Sequence, residues 1–272
     1  MPMTVAAAGA TDIGRVRQNN EDAFIVAPVG PDDIVKSAGG ESVFELGTVR
    51  ILLAISDGMG GAEAGEVASA IVLQSLRQSL VDQRSDRESA LRTAVERANR
   101  EVLTAAASPG RKGMGATLTA MFLHGDEAHV AEVGDSRAYL SRGGQLQQIT
   151  HDQSYVQMLL DSGVLKPDEA DRSPLKNVIL TVMGHGPDVR VEIGRLKLRA
   201  GDKVLLCSDG LSNEVSAAEM QQALAAPRPL LETCRNLIAL ANQHGGNDNV
   251  TVIVAELREA VAGHSASKKD EP

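Results

Sequence analysis

Twice in this chain a short run of apolar residues stops at the same three letters. Ile51-Leu52-Leu53-Ala54-Ile55 runs into Ser56-Asp57-Gly58, and Val204-Leu205-Leu206-Cys207 runs into Ser208-Asp209-Gly210. A short apolar run bounded by turn formers marks a strand covered on both faces, so each must lie inside a sheet with packing above and below it. Each then delivers an aspartate to the margin of the core. A carboxylate there costs desolvation energy unless it is paired or bound to a cation. Ser-Asp-Gly is also a common turn; Asp57 alone reads more readily as a turn residue, and Asp209 alone equally well as one. The repetition argues for more.

The remaining pattern restricts the topology. Strands are expected at Thr4–Ala10 and Ala23–Ala27, separated by a polar stretch, 11–22. Residues 28–47 are rich in Gly, Pro, Ser and acids without periodicity, and read as a loop or hairpin insertion. Leu73, Leu76 and Leu80 place a helix over Ala62–Val81. Ser85 with Glu88 forms a capping box for a second helix to Ala107, carrying Leu91, Val95, Ala98 and Val102 at helical spacing. The period then changes to that of strands at Ala116–His124, Ala128–Val133, Arg137–Ser141 and Gln145–Ile149. Tyr155–Leu160 reads as helical, and Gly163–Pro174 as an exposed, mobile segment. Strands follow at Val189–Leu198 and Lys203–Cys207. Ser216 with Glu219 caps a helix, Pro229–Gln243 forms another, Val250–Glu256 closes as a strand, and Ala262–Pro272 reads as a disordered tail. Helices come in pairs between blocks of strands. That favours an α+β fold with antiparallel sheets over a doubly wound parallel sheet, and no linker divides it.

Composition excludes some functions. Aromatic residues make up 2% of the 272, so the core must be built from Ala, Val, Leu and Ile, and platforms for stacking nucleic-acid bases are lacking. A formal charge of −9 leaves no basic excess to neutralise phosphates of a nucleic acid. Cys207 and Cys234 lie far apart in apolar surroundings and read as small buried hydrophobes in a reducing compartment. No apolar run approaches the roughly 20 residues of a membrane span, and no signal segment opens the chain. A cytoplasmic protein, away from membranes and nucleic acid, is the expectation.

The aspartates recur elsewhere. Val130–Asp135 ends a strand in Val-Gly-Asp-Ser, Asn247-Asp248-Asn249 precedes the last strand, and Glu21-Asp22 precedes the second. Five acidic sites thus fall at strand ends. If those ends share one edge of the sheets, cations must offset their repulsion. Carboxylates and glycine carbonyls without a Cys or His cluster suit Mg²⁺ or Mn²⁺ rather than Zn²⁺. Two such ions about 3.5–4 Å apart can activate a bridging water for in-line displacement at phosphorus. Arg17, four residues before Glu21, has a guanidinium shaped for a phosphate dianion. Glu21-Asp22 and Asn247–Asn249 taken singly are also consistent with solvated turns, Arg17 with a surface charge, and His151 and His185 with exposed or structural positions.

Thr-Asp-Ile-Gly-Arg-Val-Arg-Gln-Asn-Asn-Glu-Asp (11–22), Ser-Asp-Gly-Met-Gly-Gly (56–61), Gly-Ala-Thr-Leu-Thr-Ala (115–120), Val-Gly-Asp-Ser-Arg-Ala-Tyr (133–139), Cys-Ser-Asp-Gly-Leu (207–211) and Asn-Asp-Asn-Val-Thr (247–251) occur in one order. In this set the chain resembles the metal-dependent type 2C serine/threonine protein phosphatases, in their bacterial branch, from Ala7 to Glu256. The resemblance implies a four-layer α-β-β-α arrangement, a sandwich of two antiparallel sheets flanked by helices. It implies a catalytic domain over 1–258 with a mobile flap at about 150–174, an insertion at 28–47 and a disordered tail at 259–272. It further implies signalling by hydrolysis of phosphoserine and phosphothreonine in proteins, the substrates of a serine/threonine kinase; nothing in the sequence demands more than a monomer. A hydroxide held between two Mn²⁺ or Mg²⁺ ions would attack phosphorus directly. By position, Asp57 would bridge both ions, the Gly58 carbonyl, Glu21 and Asp22 would serve the second, and Asp209 and Asp248 the first. Arg17 would hold the phosphate, and Asp135 with Asp209 would form a weaker third site.

Three positions depart from the pattern. Met59 stands where eukaryotic relatives carry a histidine proposed as the general acid. Asn177 stands where some bacterial members carry a hydroxyl beside the third ion. The 28–47 insertion is longer than the turn of compact members. Two alternatives follow: a non-catalytic phosphoprotein-binding scaffold, and a partner-switching phosphatase dedicated to one regulator. The intact carboxylates speak against the first, and Arg17–Asp22, usually missing from the second group, against the other.

Overall fold

The structure, a computed structural model, describes residues 3–30, 41–47, 49–60, 64–82, 86–170 and 173–259. Strands β1 (Met3–Asp12), β3 (Ser42–Glu45), β8 (Arg137–Arg142), β9 (Gln145–Gln148), β11 (Lys203–Cys207) and β12 (Val250–Glu259) form one sheet in the order β3-β1-β12-β11-β8-β9. The second sheet runs β10-β7-β6-β4-β2, from β2 (Asp22–Val29), β4 (Arg50–Met59), β6 (Leu118–His124), β7 (Glu127–Val133) and β10 (Glu192–Lys197). The two-residue β5 (Gly115–Ala116) continues it beside the end of β4. Every pairing is antiparallel.

Alternation along β4 shows how the layers stack. Ile51, Leu53 and Ile55 point between the sheets, where they meet Val5, Val204 and Ile253. Leu52 and Ala54 point the other way, onto α1 (Ala64–Asp82) and α2 (Arg87–Ala106). On the far side Leu205, Val252 and Val254 are covered by Leu224 of α6 (Ala217–Ala225) and Leu237 of α7 (Leu230–His244). Apolar runs on β4, β11 and β12 are therefore buried on both faces, as their lack of alternation requires. The result is the expected α+β sandwich, helices–sheet–sheet–helices. Cys207 and Cys234 are buried and free.

Differences from expectation have local causes. The apolar run of β4 ends at Ile55, yet the strand continues to Met59, because β2 pairs with it as far as Asp57 and β5 takes over at Gly58. Asp57 thus lies within the strand. Asp209 is not a simple turn residue; it opens a short helix, α5 (Asp209–Ser212). The insertion contributes the edge strand β3, while 31–40 fall outside the described residues. Ser85, expected to cap α2, is also outside them; the cap observed is Asp86, whose side chain accepts from Ser89 N. The Ser216–Glu219 capping box is present. Of the flap, α3 (Tyr155–Asp161) and α4 (Pro167–Ala170) are helical, and 171–172 lie outside the description. The expected tail lies outside it too, except Glu259, which ends β12.

Candidate active site

In antiparallel sheets the start of one strand lies beside the end of its neighbour, and this geometry collects the acids. Asp22 opens β2 directly opposite Asp57 of β4. Asp209 follows β11, Asp248 precedes β12, and Asp135 lies between β7 and β8. Arg17, Glu21, Asp57, Gly58, Asp209 and Asp248 line one cavity of about 540 Å³. Asp135 lies in an adjoining cavity of about 410 Å³, and Asp209 lines both. All eight positions singled out by sequence except Asp22 therefore border these two cavities, and Asp22 is buried directly behind Asp57.

Hydroxyl and amide side chains set the positions. Asp57 N donates to Thr117 Oγ1 at 3.0 Å, and Ser56 Oγ donates to Thr117 O at 2.7 Å. Asp22 Oδ2 accepts from Ser208 Oγ at 2.7 Å and from Thr251 Oγ1 at 2.6 Å, which ties the second sheet to the first beneath the site. Asn249 fastens the N-terminal loop: its Oδ1 accepts from Glu21 N at 2.8 Å, and its Nδ2 donates to the carbonyls of Ile13 and Asn19. Gly58 and Gly65 permit a close approach. A Cβ on Gly58 would meet Gly65 O at 2.1 Å, and one on Gly65 would meet Glu21 Oε2 at 2.6 Å. The sequence reading gave Ser208, Thr251, Thr117 and Asn249 no role. The repeated serine before Asp57 and Asp209 was the available signal.

Burial dominates the electrostatics. It pushes Asp22 up to about 7, Asp135 to about 8 and Asp209 to about 6, and Asp57 well above the usual carboxylate range. Neighbouring carboxylates add to each rise; Asp22, Asp209, Asp135 and Asp248 all act on Asp57. Burial also raises Glu21, with Arg17 opposing it. Arg17 Nη2 donates to Asp248 Oδ2 at 2.6 Å, and this hydrogen bond raises the guanidinium further.

This donor set fits hard divalent cations. It is made of oxygen ligands, and Asp22 Oδ1, Asp135 Oδ1 and Asp209 Oδ1 are buried with no hydrogen-bond partner. Such orphaned, mutually repelling oxygens are what a cation would satisfy. Among the described residues no three Asp, Glu, His or Cys side chains are gathered as a closed cage; Arg17 holds Asp248, and Asp22 turns one oxygen to Ser208 and Thr251. Met59 and Asn177 line the larger cavity, so Asn177 is on the Arg17 side and not among the residues around Asp135. His151 is exposed and pairs with Asp161 at 2.8 Å, and His185 lies by Gly115.

A family model described as protein phosphatase 2C matches residues 41–251. The serine/threonine protein phosphatase PstP of Mycobacterium tuberculosis is 39% identical over 252 residues, 92% of this chain; the chain spans 44% of that relative's length. The serine/threonine phosphatase stp of Listeria innocua is 35% identical over 263 residues, covering 94% of this chain and 98% of the relative. A solved structure of the catalytic domain of PstP in complex with two manganese ions superposes with a TM-score of 0.78 at 38% identity, covering 94% of this chain and 100% of the other.

Proposed function

The chain belongs to the protein phosphatase 2C family, and on that premise we propose that it hydrolyses phosphoserine and phosphothreonine in proteins with the aid of divalent cations. The observation that carries this reading is the set of buried carboxylates with unpartnered oxygens beside Arg17. Asp57, Gly58 through its carbonyl, Asp209, Asp248, Glu21 and Asp22 would hold two ions, Mn²⁺ or Mg²⁺, with Asp57 common to both. Asp135 with Asp209 would hold a weaker third. When bound, such ions offset the carboxylate charge and acidify water enough to supply hydroxide near neutral pH.

The chain's own residues then have defined tasks. With Asp248 holding a cation, Arg17 would be free to grip two phosphoryl oxygens in place of Asp248. Thr117, Ser208, Thr251 and Asn249 keep the acids fixed, so that stabilisation of developing charge needs no rearrangement. Among the described residues no histidine lines the cavity that holds Arg17 and Asp57, and water would supply the proton for the leaving oxygen. Residues 1–258 would act as one catalytic unit, a monomer directed at substrates of a serine/threonine kinase. Among the described residues no helix is long and apolar enough to cross a membrane, and the two reduced cysteines suit a cytoplasmic setting.

The test is release of phosphate from a phosphothreonine peptide in Mn²⁺ and in Mg²⁺ by the wild type, Asp57→Asn and Asp209→Asn. Both substitutions should abolish turnover; near-wild-type turnover in either overturns the assignment. Absence of hydrolysis across a phosphopeptide panel would leave a binding scaffold, and hydrolysis of a single member would point to a dedicated regulator.

A further inference from the structure

Residues 178–183 are fastened at both ends to the edge that carries the acids. Tyr155 N donates to Val178 O at 2.8 Å, and Leu180 N donates to Gln153 O at 2.8 Å. Gln153 is buried and holds Gly134, the residue before Asp135. Its N donates to Gly134 O at 2.7 Å, and its Oε1 accepts from Gly134 N at 3.2 Å. A Cβ on Gly134 would meet Thr117 Cγ2 at 2.7 Å, so Gly134 lies against the side chain that accepts from Asp57 N. At the other end Met183 N donates to Ala116 O at 3.0 Å, and Ala116 N donates to Met183 O at 3.2 Å. Ala116 stands opposite Gly58 in the β4–β5 pairing. Backbone contacts thus register this stretch against Asp57 and Gly58.

That register brings Asn177 and Ile179 to the cavity of Arg17 and Asp57. Among the described residues, each of the other stretches lining this cavity supplies a charged side chain: Arg17 and Glu21, Asp57, Asp209 and Asp248. Residues 177–179 supply a carboxamide and an aliphatic side chain instead. Asn177 is exposed, so its carboxamide is open to a ligand arriving from solvent. Asn249, another amide of the cavity, is already engaged by Glu21 N and by the carbonyls of Ile13 and Asn19.

The phosphoryl group is a dianion, and Arg17 with the proposed cations answers its charge. A neutral carboxamide adds little to that. It does match a peptide unit, to which it offers N–H donors for the carbonyl and an oxygen for the N–H. We infer that Asn177 binds the peptide backbone next to the phosphorylated residue and so favours phosphorylated chains over small phosphate monoesters. The inference rests on the phosphatase reading above and adds to it a residue that recognises the chain rather than the phosphate.

The test compares wild type and Asn177→Ala on two substrates at saturating Mn²⁺. One is phosphothreonine capped by acetyl and methylamide groups, which carries two peptide units and no neighbouring side chain. The other is para-nitrophenyl phosphate, which carries none. Asn177→Ala should raise KM for the capped phosphothreonine about fivefold or more, the loss of one or two hydrogen bonds. The rise for para-nitrophenyl phosphate should be several-fold smaller, and the loss should fall on KM rather than kcat. KM does not depend on the fraction of active protein, so a partly unfolded preparation does not mimic this result. Equal losses on both substrates would place Asn177 at the phosphoryl group and overturn the inference, as would no loss on either. A rise in the Mn²⁺ concentration needed for half-maximal activity would give Asn177 to a cation and overturn it too. Failure of the wild type to hydrolyse either substrate or any phosphopeptide defeats instead the reading beneath it.

Discussion

Asp22 and Asp57 stand directly opposite one another at the end of the β2–β4 pairing; burial raises both carboxyls, Asp22 adds to the rise at Asp57, and Asp209 and Asp248 add to that at Asp22. Like charges facing across a sheet destabilise it, so the pair carries a cost that a bound cation would reverse. In EDTA, Asp57→Asn should melt above the wild type. Mn²⁺ at about a hundred times its Kd should stabilise the wild type by about 2.7 kcal/mol and the variant much less. Thermal melts with and without Mn²⁺ check both; equal metal-induced shifts would remove Asp57 from the ligand set.

Arg137 and Asp152 tie the root of the flap to β8. The guanidinium reaches Asp152 through Nε at 2.9 Å and Nη2 at 2.6 Å, and the Asp152 side chain is only 6% exposed. Arg137→Met leaves that carboxylate buried without its cation and should cost about 3 kcal/mol. Adding Asp152→Asn should recover most of the loss. A double-mutant cycle by urea denaturation measures the coupling, and additive effects would show the pair to be energetically idle.

Alanine at Gly58 and at Gly65 should separate fold from site. At Gly58 the new methyl meets backbone oxygens of Gly65 and Glu21, which cannot yield locally, so Gly58→Ala should fail to fold or lose about 3 kcal/mol or more. At Gly65 it meets the Glu21 carboxyl, a side-chain end that can swing away, and also the backbone carbonyl carbon of Gly58 at 2.9 Å. Gly65→Ala should lose less stability than Gly58→Ala while its apparent Kd for Mn²⁺ rises. Circular dichroism and metal titration distinguish the two cases.

Glu132 supplies the pH dependence. It is 2% exposed; Oε2 accepts from His151 N at 2.8 Å, and Oε1 is unpartnered. Burial pushes it from 4.5 up to about 8. The folded state therefore holds this proton where the unfolded chain has released it, and stability falls as pH rises from about 4.5 to about 8. Glu132→Gln stays neutral and can still accept from His151 N. It should exceed the wild type by at least about 1 kcal/mol at pH 8 and by little at pH 5. Parallel urea melts at the two pH values check this, and a constant difference would refute it.

What could be read from sequence and what could not divide along physical lines. The apolar strands of β4 and β11, the helix faces of α2 and α7 and the Ser216 cap are set by neighbours in the chain, and each lies where its pattern places it. The acids were legible because a repeated Ser-Asp-Gly is rare by chance, although their convergence needed the antiparallel order of both sheets. Strand β3 was missed because four residues with two exposed positions carry little apolar signal. The true end of β4 was missed because β2 and β5 decide it, not its own residues. Asn249 looked like part of a polar turn; its role depends on Glu21, 228 residues away in the chain.

Strand β12 lies between β1 and β11, in the middle of its sheet. During synthesis, the N-terminal strand must wait for residues 250–259 to emerge before it can gain its main partner. Arg17 likewise waits for Asp248, and Glu21 for Asn249. A ribosome-bound fragment ending before Asp248 would hold a split sheet and lack one of the proposed ligands. The order of translation thus sets a late step, at which β12 joins β1 to β11 and brings the Arg17 and Glu21 loop to its partners.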